Sequence, residues 1–404
     1  MVKSEILDHP FGAAYAKSLG VAAWQGGLPG PKVEEWRFTP LRSLAKIAFV
    51  PAAIAADVDV SEVPRTVPVI SGAARLVLVN GVYRADLSDK DCGKGVAVSQ
   101  VKVATKKGSS LAALNAAYAP ASLAVHVNGT AKKALHIISI GAAGAEPAAF
   151  HPRVTVTAEC GADITLIESH VGLPGQTYFS NPVVSIAVGE GASVRRYVSV
   201  HEDSEAFHLA TSLITVAGGG NFEAFHLGRG GALTRQEIRV VLTGENATVR
   251  LNGAYALSGR SHHDFTTVMD HALPNCISSQ VFKGVVDGEA HGVYQGRIHV
   301  ARDAQKTDAR QLHKALFLSR GPHIDCKPEL EIYADDVQCA HGATTGEIDP
   351  DHLFYLAARG IDPETARALL VEGFLADAVN EISHEIVRDL FGGAIGAWLM
   401  QVRA

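Results

Sequence analysis

The segment KPELEIYADDVQCAHGAT, residues 327–344, decides the fold of this chain. Its first half alternates apolar and polar side chains, with Leu330 and Ile332 on one face, as a β-strand does. Its second half ends in a Cys-x-His pair followed by a glycine. Because side chains two residues apart in a strand share a face, we expect Cys339 and His341 to point the same way. The segment therefore predicts β-structure that presents two possible metal ligands together, one soft sulfur and one imidazole.

The pair formed by Cys339 and His341 supplies half of a typical structural metal site, which has four ligands. The other ligands would come from elsewhere in the fold or from another subunit. A plainer interpretation makes Cys339 a small buried hydrophobic residue and His341 a turn residue before Gly342. The strand register leaves both open. Unbroken alternation places Cys339 with the polar face that includes Tyr333, whereas a bulge near residues 335–336 would bury it.

Four segments upstream resemble one another, each with a small-residue turn followed by a short β-prone run. They begin at Cys160, Glu190, Gly219 and Glu245, which are 30, 29 and 26 residues apart. A period of this size in β-rich sequence indicates a β-solenoid, in which neighbouring coils bury each other's apolar faces. A β-sandwich also repeats its turns, at closer spacing. Periodicity alone leaves both architectures open.

The chain divides into three predicted regions: short helices and turns in 1–65, β-structure in 66–346 and a helical region in 347–404. Asn80-Gly81 between two short apolar runs predicts a hairpin. After residue 346, Asp-Pro pairs at 349–350 and 362–363 are helix-start signals, and the first helix is expected to run to Arg359 and to be stopped by Gly360. The apolar stripe predicted for the second helix consists of Ala366, Leu369, Leu370, Phe374 and Ala378. The buried side of the final helix is predicted to consist of Ile382, Ile386, Val387, Leu390 and Phe391.

Composition excludes several classes of function. A net charge of −6 and a pI near 6.3 argue against nucleic acid as a partner, and no Lys/Arg-rich run suggests a membrane surface. The apolar stretch 390–400 is too short to span a bilayer, and charges and proline interrupt the N-terminus where a signal peptide would need an apolar core. The five scattered cysteines, with no C-x-x-C, favour a reducing cytoplasm.

Enzymatic sites are weakly indicated. No G-x-x-x-x-G-K-[ST] occurs, so we expect no ATPase activity from the chain itself. A polar cluster over residues 262–276 contains His262, His263, Asp264, Asp270, His271 and Cys276. Because adjacent strand residues face opposite ways, we expect a structural role for it. Glu331 with Asp335 and Asp336 is reminiscent of the paired acids of β-helix carbohydrate-active enzymes, lyases or hydrolases, which is the main alternative function.

Several of these segments resemble the SufB/SufD family, the scaffold proteins of the SUF iron–sulfur cluster assembly system. Residues 281–382 carry most of the resemblance, through FKGV (282–285), QKTD (305–308), the 327–344 segment, FYL (354–356) and RGI (359–361). GLP (27–29) and EWRFTPL (35–41) look like the SufD-type members in particular. Cys326 departs from the family pattern, where a threonine is commoner.

The resemblance implies a right-handed parallel β-helix flanked by helical regions, and a non-enzymatic scaffold subunit. It implies a SufB-like partner at the C-terminal end of the β-helix, with Cys339 and His341 as ligands for a transient iron or iron–sulfur cluster at that interface and no permanently bound cofactor. It also implies that the C-terminal helices bind a SufC-like ATPase, through Phe354, Leu369, Leu370 and Phe374. Whether the isolated chain forms a homodimer is left open.

Overall fold

A parallel β-helix forms the centre of the chain in the computed structural model, which describes residues 6–7, 9–30, 32–53, 67–103 and 110–403. About eight coils stack on one another, and each contributes one strand to each of two sheets. Neighbouring strands within a sheet come from successive coils and are parallel, as in the pairing of 163–171 with 193–201. The predicted solenoid is confirmed, and the sandwich interpretation is wrong.

The described strands are numbered in chain order. Sheet 1 contains β3 (Val50–Pro51), β6 (Val96–Val101), β7 (Ser122–Val127), β9 (Ala148–Phe150), β10 (Arg153–Ala158), β12 (Tyr178–Ser180), β13 (Val183–Val188), β15 (Phe207–Val216), β17 (Leu233–Leu242), β19 (His262–His271), β21 (His291–Val300) and β23 (His323–Ile332). Sheet 2 contains β4 (Ala74–Val79), β5 (Val82–Tyr83), β8 (Leu135–Gly141), β11 (Asp163–Gly172), β14 (Ser193–Glu202), β16 (Asn221–Gly230), β18 (Thr248–Leu257), β20 (Ile277–Val286), β22 (Asp308–Phe317) and β24 (Gln338–Glu347). The short strands β1 (Ile6–Leu7) and β2 (Leu28–Pro29) pair separately.

A column of residues with left-handed backbone marks the same turn in successive coils. Their φ angles lie between 60° and 67°, and they are Gly161, Gly191, Gly219, Asn246, Asn275 and Lys306. Each N–H donates to a carbonyl in the turn of the next coil, as Gly161 does to the Glu190 oxygen at 2.8 Å. Glycine and asparagine tolerate this backbone region at little cost, which explains the small-residue turns that repeat in the sequence.

Strand register corrects one of the predicted repeat alignments. Asp163 pairs with Ser193, Ser193 with Asn221, and Asn221 with Thr248, so equivalent positions are 30, 28 and 27 residues apart. The third segment therefore begins one residue before Gly219, and the predicted alignment was wrong there. Three consecutive glycines at 218–220 hide the register, because they carry no side-chain pattern.

The N-terminal region packs on the outer face of sheet 1. It contains the helices α1 (Ala13–Leu19) and α2 (Arg42–Ala45) and a 3₁₀ turn at Glu34–Trp36, and it is joined there by α3 (Ser110–Tyr118). Trp36 stacks on the Arg235 guanidinium, which lies 4.0 Å from the ring centre, and Thr39 donates to Asp264. The EWRFTPL segment thus contacts the solenoid wall directly. The predicted Asn-Gly hairpin is also confirmed, since β4 and β5 pair antiparallel across Asn80 and Gly81.

The polar cluster predicted over residues 262–276 is divided between two faces. His262 and Asp264 face outward and hold the N-terminal region, with His262 Nε2 3.1 Å from the Thr39 hydroxyl. His263 and His271 are buried in the interior, where His271 bonds Ser278 at 2.8 Å. The alternation of strand side chains therefore separates them, as expected.

The C-terminal helices cover the outer face of sheet 2. They are α4 (Pro350–Ala357), α5 (Pro363–Val379) and α6 (Glu385–Arg403). Asp349 and Asp362 cap the first two by accepting from Asp351 N and Thr365 N, as predicted. The first helix ends at Ala357, slightly before the predicted end at Arg359. No helix in the described part of the chain is long and apolar enough to cross a bilayer.

The apolar stripe of α5 is rotated from the predicted one. Its buried residues are Ala366, Ala368, Val371, Leu375, Ala378 and Val379. Leu369 is exposed and Leu370 and Phe374 are half-buried, so the predicted stripe overlaps the buried face at Ala366 and Ala378. The helix is apolar on more than one side, so the sequence alone did not define which side packs on the sheet. In the final helix, Val387 and Phe391 are buried as predicted, whereas Ile386 is exposed.

Candidate functional site

The C-terminal end of the β-helix is open. β23 and β24 are the outermost strands of sheets 1 and 2, and each is bonded along one edge only, to β21 and β22, among the residues that the structure describes. β24 has no proline or lysine to block its free edge, and its one acidic residue is Glu347. The free edges leave backbone donors and acceptors available for another chain.

Cys339 and His341 lie on β24 and point toward the solenoid axis at this open end. They pair in register with Ala309 and Gln311 of β22, whose side chains are buried in the interior. Because residues in register on parallel strands present the same face, the two ligands face inward as well. Cys339 packs against the edge of the solenoid core, whereas His341 is exposed. The prediction that both side chains share a face is consistent with this geometry.

The 327–344 segment is two strands and not one. β23 ends at Ile332, a turn covers 333–337, and β24 begins at Gln338 in the other sheet. The unbroken alternation that placed Cys339 with Tyr333 is therefore wrong, and the inward orientation comes from a turn rather than a bulge. His341 lies within a strand, so its interpretation as a turn residue is also wrong.

The pKa of the Cys339 thiol bears on how it could bind a metal. Burial raises the pKa of the Cys339 thiol, and the Asp308 carboxylate raises it further. In the free chain this sulfur is therefore a protonated thiol at neutral pH and becomes a thiolate ligand when a cation binds. Within the described residues, Cys339 and His341 belong to no group of three candidate ligands. The two side chains suit iron or zinc but need further ligands from outside the chain.

The helical region presents a second surface. Phe354 is 76% exposed and Tyr355 56% exposed on α4, a helix with no buried residue, and Leu369 is 48% exposed on α5. Phe374 instead packs on the solenoid wall, where the Lys283 ammonium lies 4.8 Å from its ring centre. Of the four residues predicted to bind a partner, Phe354 and Leu369 are therefore accessible, and Leu370 and Phe374 are half-buried.

Comparison with known proteins identifies the family. A family model described as "SUF system FeS cluster assembly, SufBD core domain" matches residues 139–374. The chain is 31% identical to the iron–sulfur cluster assembly protein SufD of Escherichia coli over 379 residues, which is 92% of this chain and 89% of the relative. The chain belongs to the SufBD family. A SufBD-family protein of Synechocystis is 29% identical over 88% of this chain and 84% of its own length, and one of Mycobacterium bovis is 28% identical over 97% and 94%.

SufBD membership bears on the alternative function. The relatives named above are iron–sulfur cluster assembly proteins, which disfavours a carbohydrate-active enzyme. The acids proposed for that enzyme are also not paired across a cleft. Glu331 lies 3.6 Å from Arg297, Asp336 forms an ion pair with Lys306, and both pairs are on the surface. These contacts favour structural roles for Glu331 and Asp336.

The inward orientation of one cysteine of this SufBD chain, Cys326, was not predicted from the sequence. Cys326 lies on β23 in register with the buried Tyr294 and packs on the same core as Cys339. Burial raises the pKa of its thiol to about 11. Cys326 therefore also faces the interior of the last coil, and replacing it should alter the packing there. The alternation of β23 contained the signal, because Cys326 shares its face with Leu330.

Proposed function

We propose that this chain is the SufD-type scaffold subunit of an iron–sulfur cluster assembly complex. In this proposal its open solenoid end pairs with a SufB-like protein, and its C-terminal helices bind a SufC-like ATPase. The observation that carries the proposal is the unpaired edge of β24, a ten-residue strand without lysine or proline that carries Cys339 and His341. All five cysteines are free, which suits a cytoplasmic complex.

Pairing at the open end is supported by the surface that it would cover. Edge strands are usually shielded, because an unpaired edge can add a strand from another chain. Ile332 and Tyr333 are exposed apolar side chains beside β24, and large exposed apolar groups mark interaction sites. A second solenoid of similar cross-section would extend both sheets and exclude water from the axis.

The iron site of the proposal is shared between subunits. Cys339 and His341 contribute two ligands, and thiolate, imidazole or carboxylate groups of the SufB-like partner complete the coordination. The cluster is cargo that forms and leaves, so an incomplete site in each subunit suits its release. ATP-driven movement of the SufC-like subunits would open and close the interface.

Replacing His341 by alanine tests this function. Because the side chain is exposed and has no packing role, the variant should fold and assemble with its partners. The loss of one ligand from a shared site should lower cluster formation at least about tenfold. Iron and acid-labile sulfide in the purified complex measure the effect.

His323→Ala is the matched control, because this exposed histidine begins β23 of the same coil, on its outer face. Cys339→Ala should lower cluster formation in the same way as His341→Ala, and Cys160→Ala, at an exposed turn, is its control. Unaltered cluster content in His341→Ala would remove the imidazole from the iron site. Equal losses in His341→Ala and His323→Ala would indicate a general defect at this end.

Docking of the ATPase is supported by the exposed aromatic residues of α4. Aromatic side chains contribute disproportionately to protein interfaces, and Phe354 and Tyr355 are adjacent on a helix with no buried face. Phe354→Glu and Leu369→Glu should each weaken binding of the SufC-like ATPase at least about tenfold without changing the circular dichroism spectrum. Calorimetric titration measures the affinity.

Two comparisons make the docking experiment specific. Val69→Glu alters an exposed apolar side chain outside the C-terminal helices and should leave the affinity unchanged. Phe374→Glu should instead reduce the stability of the helical region, because it disrupts the contact with Lys283. Wild-type affinity in both Phe354→Glu and Leu369→Glu would exclude this surface as the docking site.

A further inference from the structure

Two histidines and one glutamate meet inside the β-helix, far along the chain from Cys339 and His341. They are His170 on β11, Glu202 at the end of β14 and His208 on β15, and all three side chains are buried. One candidate ligand atom from each lies within 4.8 Å of the other two. The imidazole centres are 4.9 Å apart and the rings are inclined by 69°. Two strands of sheet 2 and one of sheet 1 thus converge on one point.

Each histidine has a nitrogen without a hydrogen-bond partner. Within the described residues, neither His170 Nδ1 nor His208 Nε2 is bonded, although both atoms are buried. An unpaired polar atom in the interior normally costs about 1–3 kcal/mol and is uncommon in native structures. A metal ion bound at His170 Nδ1 would satisfy that atom. An ion shared with Glu202 would contact His208 at Nδ1 instead, because Nδ1 is the nitrogen that lies 2.8 Å from Glu202 Oε1.

One of the two histidines has a supporting carboxylate. His170 Nε2 is 3.7 Å from Glu168 Oε2, on the side of the ring opposite the unbonded Nδ1. Metal-binding histidines typically have their second nitrogen directed at a carboxylate, which fixes the tautomer and the ring. His208 Nδ1 is 2.8 Å from Glu202 Oε1, and the Tyr178 hydroxyl also donates to Glu202, so these contacts hold two of the candidate ligands together.

The buried charges are unbalanced without a cation. Glu168 is neutralised by Arg196, which donates to both carboxylate oxygens at 2.7 and 2.8 Å. Arg196 also donates to Ser212 and is the one guanidinium in contact with Glu168. Glu202 has hydrogen bonds from neutral groups but no permanent positive charge in these contacts. A buried carboxylate is costly unless a cation or metal is beside it.

An approach from solvent reaches this cluster. A cleft of about 730 Å³ is lined by Glu202 together with Asp203, Glu205 and Arg229. Arg229 and Arg260 also line it, so the three acidic side chains leave its wall with a small excess of negative charge. Of the three proposed ligands, Glu202 is the one that lines this cleft.

We propose that His170, Glu202 and His208 bind one divalent transition-metal ion, Zn²⁺ or Fe²⁺, as a resident site with three protein ligands. Two imidazoles and one carboxylate are a ligand set that both ions accept, with bond lengths of about 2.0–2.2 Å and a further position open to water. The ion ties together strands of neighbouring coils and differs from the transient cluster at the open end.

The experiment uses the full chain carrying Cys339→Ala and His341→Ala, so that the open end contributes no ligands. After removal of metal with a chelator, the chain is incubated with Zn²⁺, with Fe²⁺ without oxygen, or with Co²⁺ as a spectroscopic probe. About one ion per chain should remain after gel filtration. The melting temperature should rise by about 5 °C or more at saturating metal.

Further substitutions on the same background test the ligands. His170→Gln with His208→Gln should reduce bound metal at least about tenfold. His226→Gln is the matched control, because His226 is equally buried in the interior and bonds Gln236 instead. It should retain the ion.

Three outcomes would overturn the site. They are no retained ion on the background chain, metal retained by the double histidine variant, or equal loss in His226→Gln. If the double histidine variant does not fold, the chain carrying only Cys339→Ala and His341→Ala still tests the site. Its Co²⁺ complex should show visible absorption that Zn²⁺ abolishes, and its absence contradicts the proposal.

Discussion

Lowering the pH from about 7.5 to about 5.5 is expected to reduce the free energy of unfolding by up to about 7 kcal/mol. Burial lowers the pKa of His151 and His226 to about 3. It lowers the pKa of His136, His271 and His313 to about 4, and Arg75 has a smaller effect in the same direction on His136. All five are buried and neutral when folded but bind protons near pH 6.5 when unfolded. Their contribution to the free energy of unfolding is therefore complete above pH 6.5. It declines as the pH falls from 6.5 toward the pKa values of the folded protein.

Denaturant titrations at several pH values measure this decline. His271→Gln should reduce the pH dependence, because one buried imidazole no longer titrates on unfolding. His126→Gln is the control, since His126 is half exposed and lies on the surface beside Glu159. A free energy of unfolding that stays constant between the two pH values would contradict the burial of these side chains.

Arg196→Ala is expected to destabilise the β-helix by about 3–5 kcal/mol. The guanidinium is 3% exposed and forms a two-bond ion pair with Glu168, and its removal leaves a buried carboxylate without a counter-charge. This ion pair lowers the pKa of Glu168 even though burial acts in the opposite direction and is the largest single influence. Denaturant unfolding followed by circular dichroism measures the loss.

The neighbouring residue provides the matched control. Arg195 pairs with Asp163 on the outside of the same strand, where both side chains are about one-third exposed, so Arg195→Ala should cost less than about 1 kcal/mol. Replacing Arg196 and Glu168 together by methionine should recover most of the lost stability, because the unpaired charge is removed. Equal losses from Arg195→Ala and Arg196→Ala would show that burial does not determine the contribution of these pairs.

The repeating turns left a solenoid and a sandwich open, and the resemblance to the SufB/SufD family favoured the solenoid. A left-handed backbone favours small residues at 161, 191 and 246, and this preference leaves a visible period in the sequence. Register was less predictable, because the three glycines at 218–220 fit more than one alignment. The rotation of α5 was also missed, since Leu369 and Leu370 are as apolar as the side chains that pack on the sheet.

The open-end pair was predictable in part for a similar reason. Cys339 and His341 are two residues apart on one strand, so they share a face. The turn at 333–337, where the chain crosses from one sheet to the other, contains no glycine or proline that would mark it in the sequence. The ligands that the proposal assigns to a partner lie outside this sequence.

The buried cluster of His170, Glu202 and His208 was missed because its members come from different coils. One local signal was present in β11, where the inward positions change from Ile164 and Leu166 to Glu168 and His170. Charged residues at inward positions of a solenoid need partners, and these come from strands about one coil later. The sequence therefore signals a polar interior but not its geometry.

Hydrogen exchange of β24 in the presence of a SufB-like partner tests the central claim most directly. The claim is that the open solenoid end, with Cys339 and His341, is the surface that pairs with that partner. Amides on the free edge of residues 338–347 should exchange at least about tenfold more slowly in the complex, because strand addition gives them hydrogen-bond acceptors. A complex that forms without protection of these amides, or with protection confined to the opposite end near β6, would contradict the account.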